Sequence, residues 1–358
     1  MSRTIARSQH GGRLALLFGG PALLGIAVFL VLPFLLALGL TLTDQRLVSP
    51  EPGEFVGLRN YERLLSVSYL VQEPESKVRG ELRPTAPVYS RARAVIRANP
   101  AYAGYRPLAD FRLGESRVTV LAKDPAFLRA LFNTFTFAVL VVPLQCLVAL
   151  GLALLVNTGL KGQTAYRAIY FSPVVMSMVV VSVVWVFLFD RDLGLFNKLL
   201  SVASLGAFQP IDWLGNSSTA MPAIVIMSAW QGAGFQMLIF LAGLQGIAQE
   251  LYDAARIDGA NAWQRFRHIT LPGLKQTIAF VLVVTTIGAL GLFTQVDVMT
   301  QGGPNEATST VMFRAIQRGV REEDVAYGST ISVVYFALIV MLVLVQRWTS
   351  RRLEGRPQ

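Results

Sequence analysis

The chain has 358 residues, of which 53% are hydrophobic and only 15% charged, well under the quarter usual in a soluble domain; with a mean hydropathy of +0.50, this excludes an ordinary water-soluble enzyme. Lys and Arg outnumber Asp and Glu by 32 to 22, a net charge of +10, so where the charge sits decides between a nucleic-acid and a membrane meaning. One cysteine, Cys146, and two histidines, His10 and His268, exclude an internal disulfide and a cysteine-based metal cluster, and no metal or catalytic constellation is visible.

Six runs free of Asp, Glu, Lys and Arg are long enough to cross a bilayer core of roughly 30 Å, which takes about 20 apolar residues at 1.5 Å each: 14–43, 130–160, 168–189, 213–249, 276–296 and 325–346. They predict an all-α integral membrane protein with spans near 14–40, 134–156, 169–189, 221–244, 277–296 and 329–346. The first follows Arg3, Arg7 and Arg13 but is too long for a signal-peptide core, so it is expected to stay as an anchor. Residues 1–43 then form a tail and first span, and 44–129 a large external loop or small cap. Residues 130–346 form the membrane core, and 347–358 a second tail. With both termini cytoplasmic (N-in, C-in), the segments 1–13, 157–168, 245–276 and 347–358 carry 13 basic and 4 acidic residues. The short external loops 190–220 and 297–328 carry 5 basic and 8 acidic, as the positive-inside rule requires. The charge therefore marks membrane orientation and attraction to anionic lipid.

The external segment 44–129 is Arg-rich and contains short apolar groupings at Val71, Leu82, Val95-Ile96 and Val118–Leu121. It is either a docking surface for an external partner or a solvated insertion. Its arginines lack interleaved aromatics, so nucleic acid is not a partner. Between the second and third spans, Gly159-Leu160-Lys161-Gly162 has the wrong order for a phosphate-binding loop. None of the 30 glycines precedes a lysine, so the chain has no G-x-x-x-x-G-K-[ST] motif and is not expected to be an enzyme.

Polar side chains inside the spans are candidates for a substrate pathway, because a polar solute entering the membrane must replace the hydrogen bonds of its hydration. Gln231 and Gln236 lead, with Thr294, Gln295 and Asn133 after them; Gln145, Trp185 and Trp230 are further polar or aromatic positions. Interhelical packing is the competing role for each.

Between the fourth and fifth spans, residues 249–272 read as two short helices separated by a turn. Glu250 places an acid in the first turn of one helix; Gly259 can take the left-handed conformation that ends it. Asn261 caps the next helix with Gln264 at capping-box spacing, and Pro272 opens the fifth span. Ala254, Ala255, Gly259 and Ala260 let another surface approach closely, with Asp253, Arg256 and Asp258 flanking it.

Asp253-Ala254-Ala255, then Gly259, then Ile269-Thr270-Leu271-Pro272 resembles the EAA loop of membrane permease subunits in ATP-binding-cassette importers. Asp stands where the family has Glu, which shortens the carboxylate arm by one methylene. Phe55–Tyr61, Leu131–Thr134, Arg167–Pro173, Trp185, Trp230 with Leu241–Gln245, and Thr300-Gln301-Gly302-Gly303-Pro304 with Thr308 extend the likeness along most of the chain. They narrow it to the sugar-transporter branch, similar to the first membrane subunit of maltose, glycerol-phosphate and oligosaccharide importers. The chief departure is an insertion near 70–123; in the maltose system the corresponding loop is also enlarged and touches the binding protein.

The resemblance implies a type I importer permease fold in a prokaryotic plasma (inner) membrane, with no cofactor on this chain. ATP and Mg would be used by two copies of a separate cytoplasmic ATPase, reached through Glu250, Asp253, Ala254, Ala255, Arg256, Asp258, Gly259 and Ala260. The expected partners are a second related permease, an external substrate-binding protein or lipoprotein, a sugar or sugar derivative, and lipid. Thr300, Gly302, Gly303 and Pro304 form the family's external loop motif. The alternative is a stand-alone secondary transporter or channel.

Overall fold

The computed structural model describes residues 18–49, 51–73, 89, 92–114, 116–157 and 162–354. Arg3, Arg7 and Arg13, Leu82 within the insertion, and the turn at 159–161 lie outside them. Two compact units result, Met1–Pro125 with Ala315–Val334, and Ala126–Arg314 with Tyr335–Gln358.

In the first unit, α1 (Phe18–Leu40) is apolar on every side, with a mean hydropathy of 2.8 over its most apolar window. It has no buried residue, as suits a helix surrounded by lipid. Its middle, Ala27–Val31, widens into a π-turn just before Pro33. The proline ring would clash with the carbonyl four residues back, Phe29, and the wider turn moves that group aside. Below it, α2 (Arg59–Leu65) is locked to the end of α1 by Asn60, whose Nδ2 donates to the carbonyls of Thr41 at 2.9 Å and Thr43 at 2.8 Å.

The all-α expectation fails in the segment that follows. β1 (Val67–Gln72), β2 (Arg106–Leu113) and β3 (Ser116–Ala122) form an antiparallel sheet in the order β1-β3-β2. β1 alternates as a half-buried strand must: Leu70 and Gln72 point inward while Tyr69 and Val71 point out. Leu70 and Leu121 pack on Ile96 of α3 (Ala92–Ala98). Asp110 lies directly opposite Thr119. Thr119 Oγ1 donates to its Oδ1 at 2.6 Å and Arg117 to its Oδ2, and these two donors, Thr119 first, hold the Asp110 carboxyl below the usual carboxylate range. Tyr327, fully buried, donates its hydroxyl to Asp124 Oδ2 at 2.7 Å beneath the Arg63 guanidinium.

The second unit contains the rest of α4 (Pro125–Val156), followed by α5 (Gln163–Val175), α6 (Met178–Leu188), α7 (Leu195–Ala203) and α8 (Ala220–Gln245). The chain continues through α9 (Gln249–Ile257), α10 (Ala262–Gly273), α11 (Lys275–Leu290) and α12 (Thr294–Met299). Then come α13 (Val311–Ile316) and α14 (Val325–Glu354), the last shared with the first unit.

One expected span is bent, and another is bent at its entrance. The run 169–189 is two helices, α5 and α6, bent by 97°, and α10 meets α11 at 66°. Extended backbone at Met176 and Ser177 breaks the first pair. The second breaks at Leu274, so helix continues through Pro272 and the fifth span starts at Lys275. That span ends at Leu290, with Gly291 as its cap, so Thr294 and Gln295 belong to the separate helix α12. Among the described residues, four helices are long and apolar enough to cross a membrane, or six if each bent pair counts as one span.

At the centre of this unit is α8, with Ala233, Met237, Phe240, Leu241 and Leu244 buried against Ala149, Ala153 and Val156 of α4 and Val281 of α11. Small residues at the crossings set the spacing, since helices in lipid are held by close packing rather than by hydrophobic exclusion. A Cβ on Gly234 would lie 2.2 Å from the Tyr170 carbonyl oxygen of α5, and one on Gly243 2.5 Å from Thr277 Oγ1 of α11.

Candidate functional site: the α9–α10 coupling turn

No residue of α9 is buried. A nine-residue helix is marginal in water by itself; its N-cap residue, Ala248, makes no side-chain bond, but the turn that follows the helix is closed on both sides. At its C-terminus, Gly259 N donates to Arg256 O at 3.1 Å and Ala260 N to Ala255 O at 2.8 Å, the paired bonds of a Schellman motif. Gly259 has φ +78°, where a side chain would be strained. Asn261 then caps α10 with both bonds of a capping box: Gln264 N donates to Asn261 Oδ1 at 2.9 Å and Asn261 N to Gln264 Oε1 at 2.7 Å. Arg265 Nη1 donates across the turn to Ala260 O at 2.7 Å. The hydroxyls of Tyr252 and Thr270 share a hydrogen bond at 3.0 Å, fixing the angle between the two helices.

The helix is therefore rigidly held but faces outward. Glu250, Asp253, Ala254, Arg256, Asp258 and Gly259 are exposed, while Ala255 and Ala260 are half-buried on the side turned toward α10. Arg256 Nη1 donates to Asp253 Oδ1 at 2.9 Å, an exposed i,i+3 pair worth only a few tenths of a kcal/mol. Ile257 is 87% exposed at the end of the helix, and reasoning from charges and small residues missed it. An aliphatic residue directly before a helix-ending glycine is the signal that could have found it. Trp263, also exposed, packs against Phe266 with ring centroids 5.5 Å apart.

The proposed pathway residues do not converge on one point. Gln236 is buried, donates to Thr285 Oγ1 at 3.2 Å, and leaves its buried Oε1 without a hydrogen bond. Thr285, mid-span in an apolar run, is a further polar position that the sequence reading passed over. Gln145 of α4 lies over Gly232. Gln231 points instead to α5, where its Nε2 is 3.4 Å from the Pro173 carbonyl. Thr294 and Gln295 are half-buried on α12. Asn133 clamps the loop after α12, its Nδ2 donating to the carbonyls of Glu306 at 2.7 Å and Ser309 at 2.9 Å. Trp185 and Trp230 pack at a tilt with ring centroids 5.5 Å apart.

In the loop 300–304 the Thr300 and Thr308 hydroxyls meet at 2.7 Å and Thr308 Oγ1 also lies 2.7 Å from Gly303 O. Gly302, at φ +80°, lies against the Phe313 ring, where a Cβ would approach within 2.8 Å. Pro304 follows Gly303 through a cis peptide.

Residues 120–355 match the family model described as the inner membrane component of binding-protein-dependent transport systems. A trehalose/maltose transport system permease protein of Thermococcus litoralis is 37% identical over 60% of this chain and 71% of its own. A sn-glycerol-3-phosphate transport system permease protein of Yersinia pestis is 34% identical over 68% of this chain and 81% of its own. Among solved structures, a bacterial ABC transporter involved in the import of the polysaccharide alginate has a chain that superimposes with a TM-score of 0.68 at 20% identity, over 98% of both chains. That likeness shows a shared fold.

Proposed function

We propose, because the chain belongs to the family of binding-protein-dependent transport system inner membrane components, that it forms half of the translocation pathway for a sugar or sugar derivative in an ATP-driven importer. Relatives named for trehalose/maltose and glycerol-3-phosphate transport support the substrate class. In this reading the bent pair α5–α6 is one span and α11 another, with α10 on the cytoplasmic side, giving six spans with both termini cytoplasmic, and residues 44–129 lie outside. A second related permease completes the pathway, an external binding protein delivers the sugar, and two ATPase copies supply ATP and Mg chemistry. A stand-alone transporter or channel gains no support from such a family.

The observation that carries this reading is α9 itself: none of its residues is buried, yet its C-terminal end is fixed by the Gly259 and Ala260 backbone bonds and by the capping box that opens α10. A helix so exposed and so firmly oriented is built to be gripped. An ATPase groove closing on Glu250, Asp253, Ala254 and Ile257 would swing α10 and, through the break at Leu274, turn α11, the kind of two-state change that alternates access. Gln236 and Thr285 mark where the pathway offers hydrogen bonds. Ala254→Arg tests the coupling. Its side chain is exposed, so folding and membrane insertion should survive, while ATPase co-purification and ATP-dependent uptake should fall on the order of tenfold, equivalent to about 1.4 kcal/mol of contact. Unchanged association and uptake would refute the assignment.

A further inference from the structure

Just beyond α6, the helix α7 presents an apolar stripe that no described residue of the second unit covers. Leu195, Leu199 and Val202, at i, i+4 and i+7, are 51%, 56% and 76% exposed, which places them on one helical face. The opposite face is firmly anchored. Asn197, buried, donates Nδ2 to the carbonyls of Arg191 and Ile211, each at 2.9 Å, and accepts from Trp213 Nε1 at 3.0 Å. Phe196 stacks on Phe189 at 4.9 Å and lies 5.5 Å from Trp185. So α7 cannot roll its stripe inward without breaking this hub.

What the stripe faces follows from its surroundings. It is joined by a short loop to α6, whose Val180, Val184 and Phe187 are also exposed and form the outer surface of an apolar helix pair long enough to span a membrane. Three of the chain's five tryptophans, Trp185, Trp213 and Trp230, gather in the ring cluster beside α7. Tryptophan concentrates at the level where hydrocarbon gives way to headgroups. Lys198 flanks the stripe, on a stem long enough to reach headgroup phosphates while its methylenes stay in the apolar layer. The acid at Asp190 is turned away, capping the Asp192 and Leu193 amides.

We infer that α7 is a surface-lying membrane helix, with Leu195, Leu199 and Val202 seated in the interfacial layer of the external leaflet. It thereby fixes the depth of the α6 end in the bilayer. Short amphipathic helices with a narrow apolar face and a flanking cation bind lipid surfaces in this manner. The inference rests on α6 being part of a span, and the test separates the two.

In a Cys146→Ser background, Leu199→Cys carries an environment-sensitive fluorophore in the full chain embedded in lipid nanodiscs; Val202→Cys repeats the measurement one turn on, and Val184→Cys is the control on α6. Nanodiscs are made with nitroxide lipids labelled near the glycerol backbone or near the acyl-chain end. At positions 199 and 202, the shallow nitroxide is expected to quench about twofold more strongly than the deep one, with weak quenching by aqueous iodide. Iodide quenching without nitroxide quenching at both positions would overturn the inference, as would inaccessibility to both quenchers, which would mean a protein surface covers the stripe. If position 184 also escapes the nitroxides, the span assignment fails as well; if 184 is quenched and 199 and 202 are not, only the surface-helix inference fails.

Discussion

Gly234→Ala adds one methyl group to the helix at the centre of the second unit, and the structure says what it meets. The new Cβ would lie 2.2 Å from the Tyr170 carbonyl oxygen and 3.1 Å from the Phe171 Cα. The first obstacle is backbone within a helix, so no side-chain rotation relieves it; α5 and α8 must separate by nearly 1 Å, against the close packing that holds them. Overpacking of this kind costs about 1–3 kcal/mol. The same substitution at Gly288 on α11 meets nothing within 4 Å and removes a glycine from a helix interior, a gain of up to about 1 kcal/mol. Cys146, the single thiol and half-buried on α4, gives the assay: a thiol-reactive fluorogenic dye reports its release as the purified protein is heated. Gly234→Ala is expected to melt several degrees below the parent, and Gly288→Ala at or above it. Equal shifts for the two variants, or a stabilised Gly234→Ala, would refute the argument that backbone proximity sets the α5–α8 crossing.

Asn197→Ala removes a buried amide that satisfies two carbonyls and the Trp213 indole N–H, and unmade buried bonds cost about 1–3 kcal/mol each. Loss of ordered tryptophan signal in near-ultraviolet circular dichroism, with helical content retained, is the expected result. Asp110 is held below the ordinary carboxylate range, so its contribution is present at neutral pH and is lost as pH falls through that lowered value. Asp110→Asn should therefore speed hydrogen exchange in the β2–β3 pair at neutral pH, and the difference from the parent should vanish under strongly acidic conditions.

Much of the membrane-embedded architecture can be read from the charge-free runs, because excluding charge is a property of each span taken alone. The bends cannot. Pro173 is visible in the run 168–189, yet the break comes at Met176 and Ser177, where backbone geometry rather than composition decides. Leu274, fully buried, looks like any other residue of an apolar stretch. The α9–α10 turn was the most legible part of the candidate site, since its caps use residues only a few positions apart: Gly259, Asn261 and Gln264 carry local conformational demands that survive any tertiary context. The sheet was missed for the opposite reason. β1 pairs with β3 some fifty residues later, and Val67–Gln72 alternates too briefly to stand out against an arginine-rich background. Asn133 was noted as polar, but that its amide clamps the carbonyls of Glu306 and Ser309 depends on a contact across 173 positions of chain.

The break at Leu274 gives α9 a mechanical advantage. Between it and the α9 turn runs α10, Ala262–Gly273, about 18 Å long at 1.5 Å per residue. Because the caps leave the turn no freedom of its own, α9 and α10 act as one lever with its fulcrum at a buried leucine. Tilting that lever by roughly 10° sweeps its far end through about 3 Å, while the fulcrum barely moves. A small angular change at the base of α11 and a larger linear one at α9 are thus the same motion seen from its two ends, so a partner that closes by a few ångströms need only turn the membrane helix slightly.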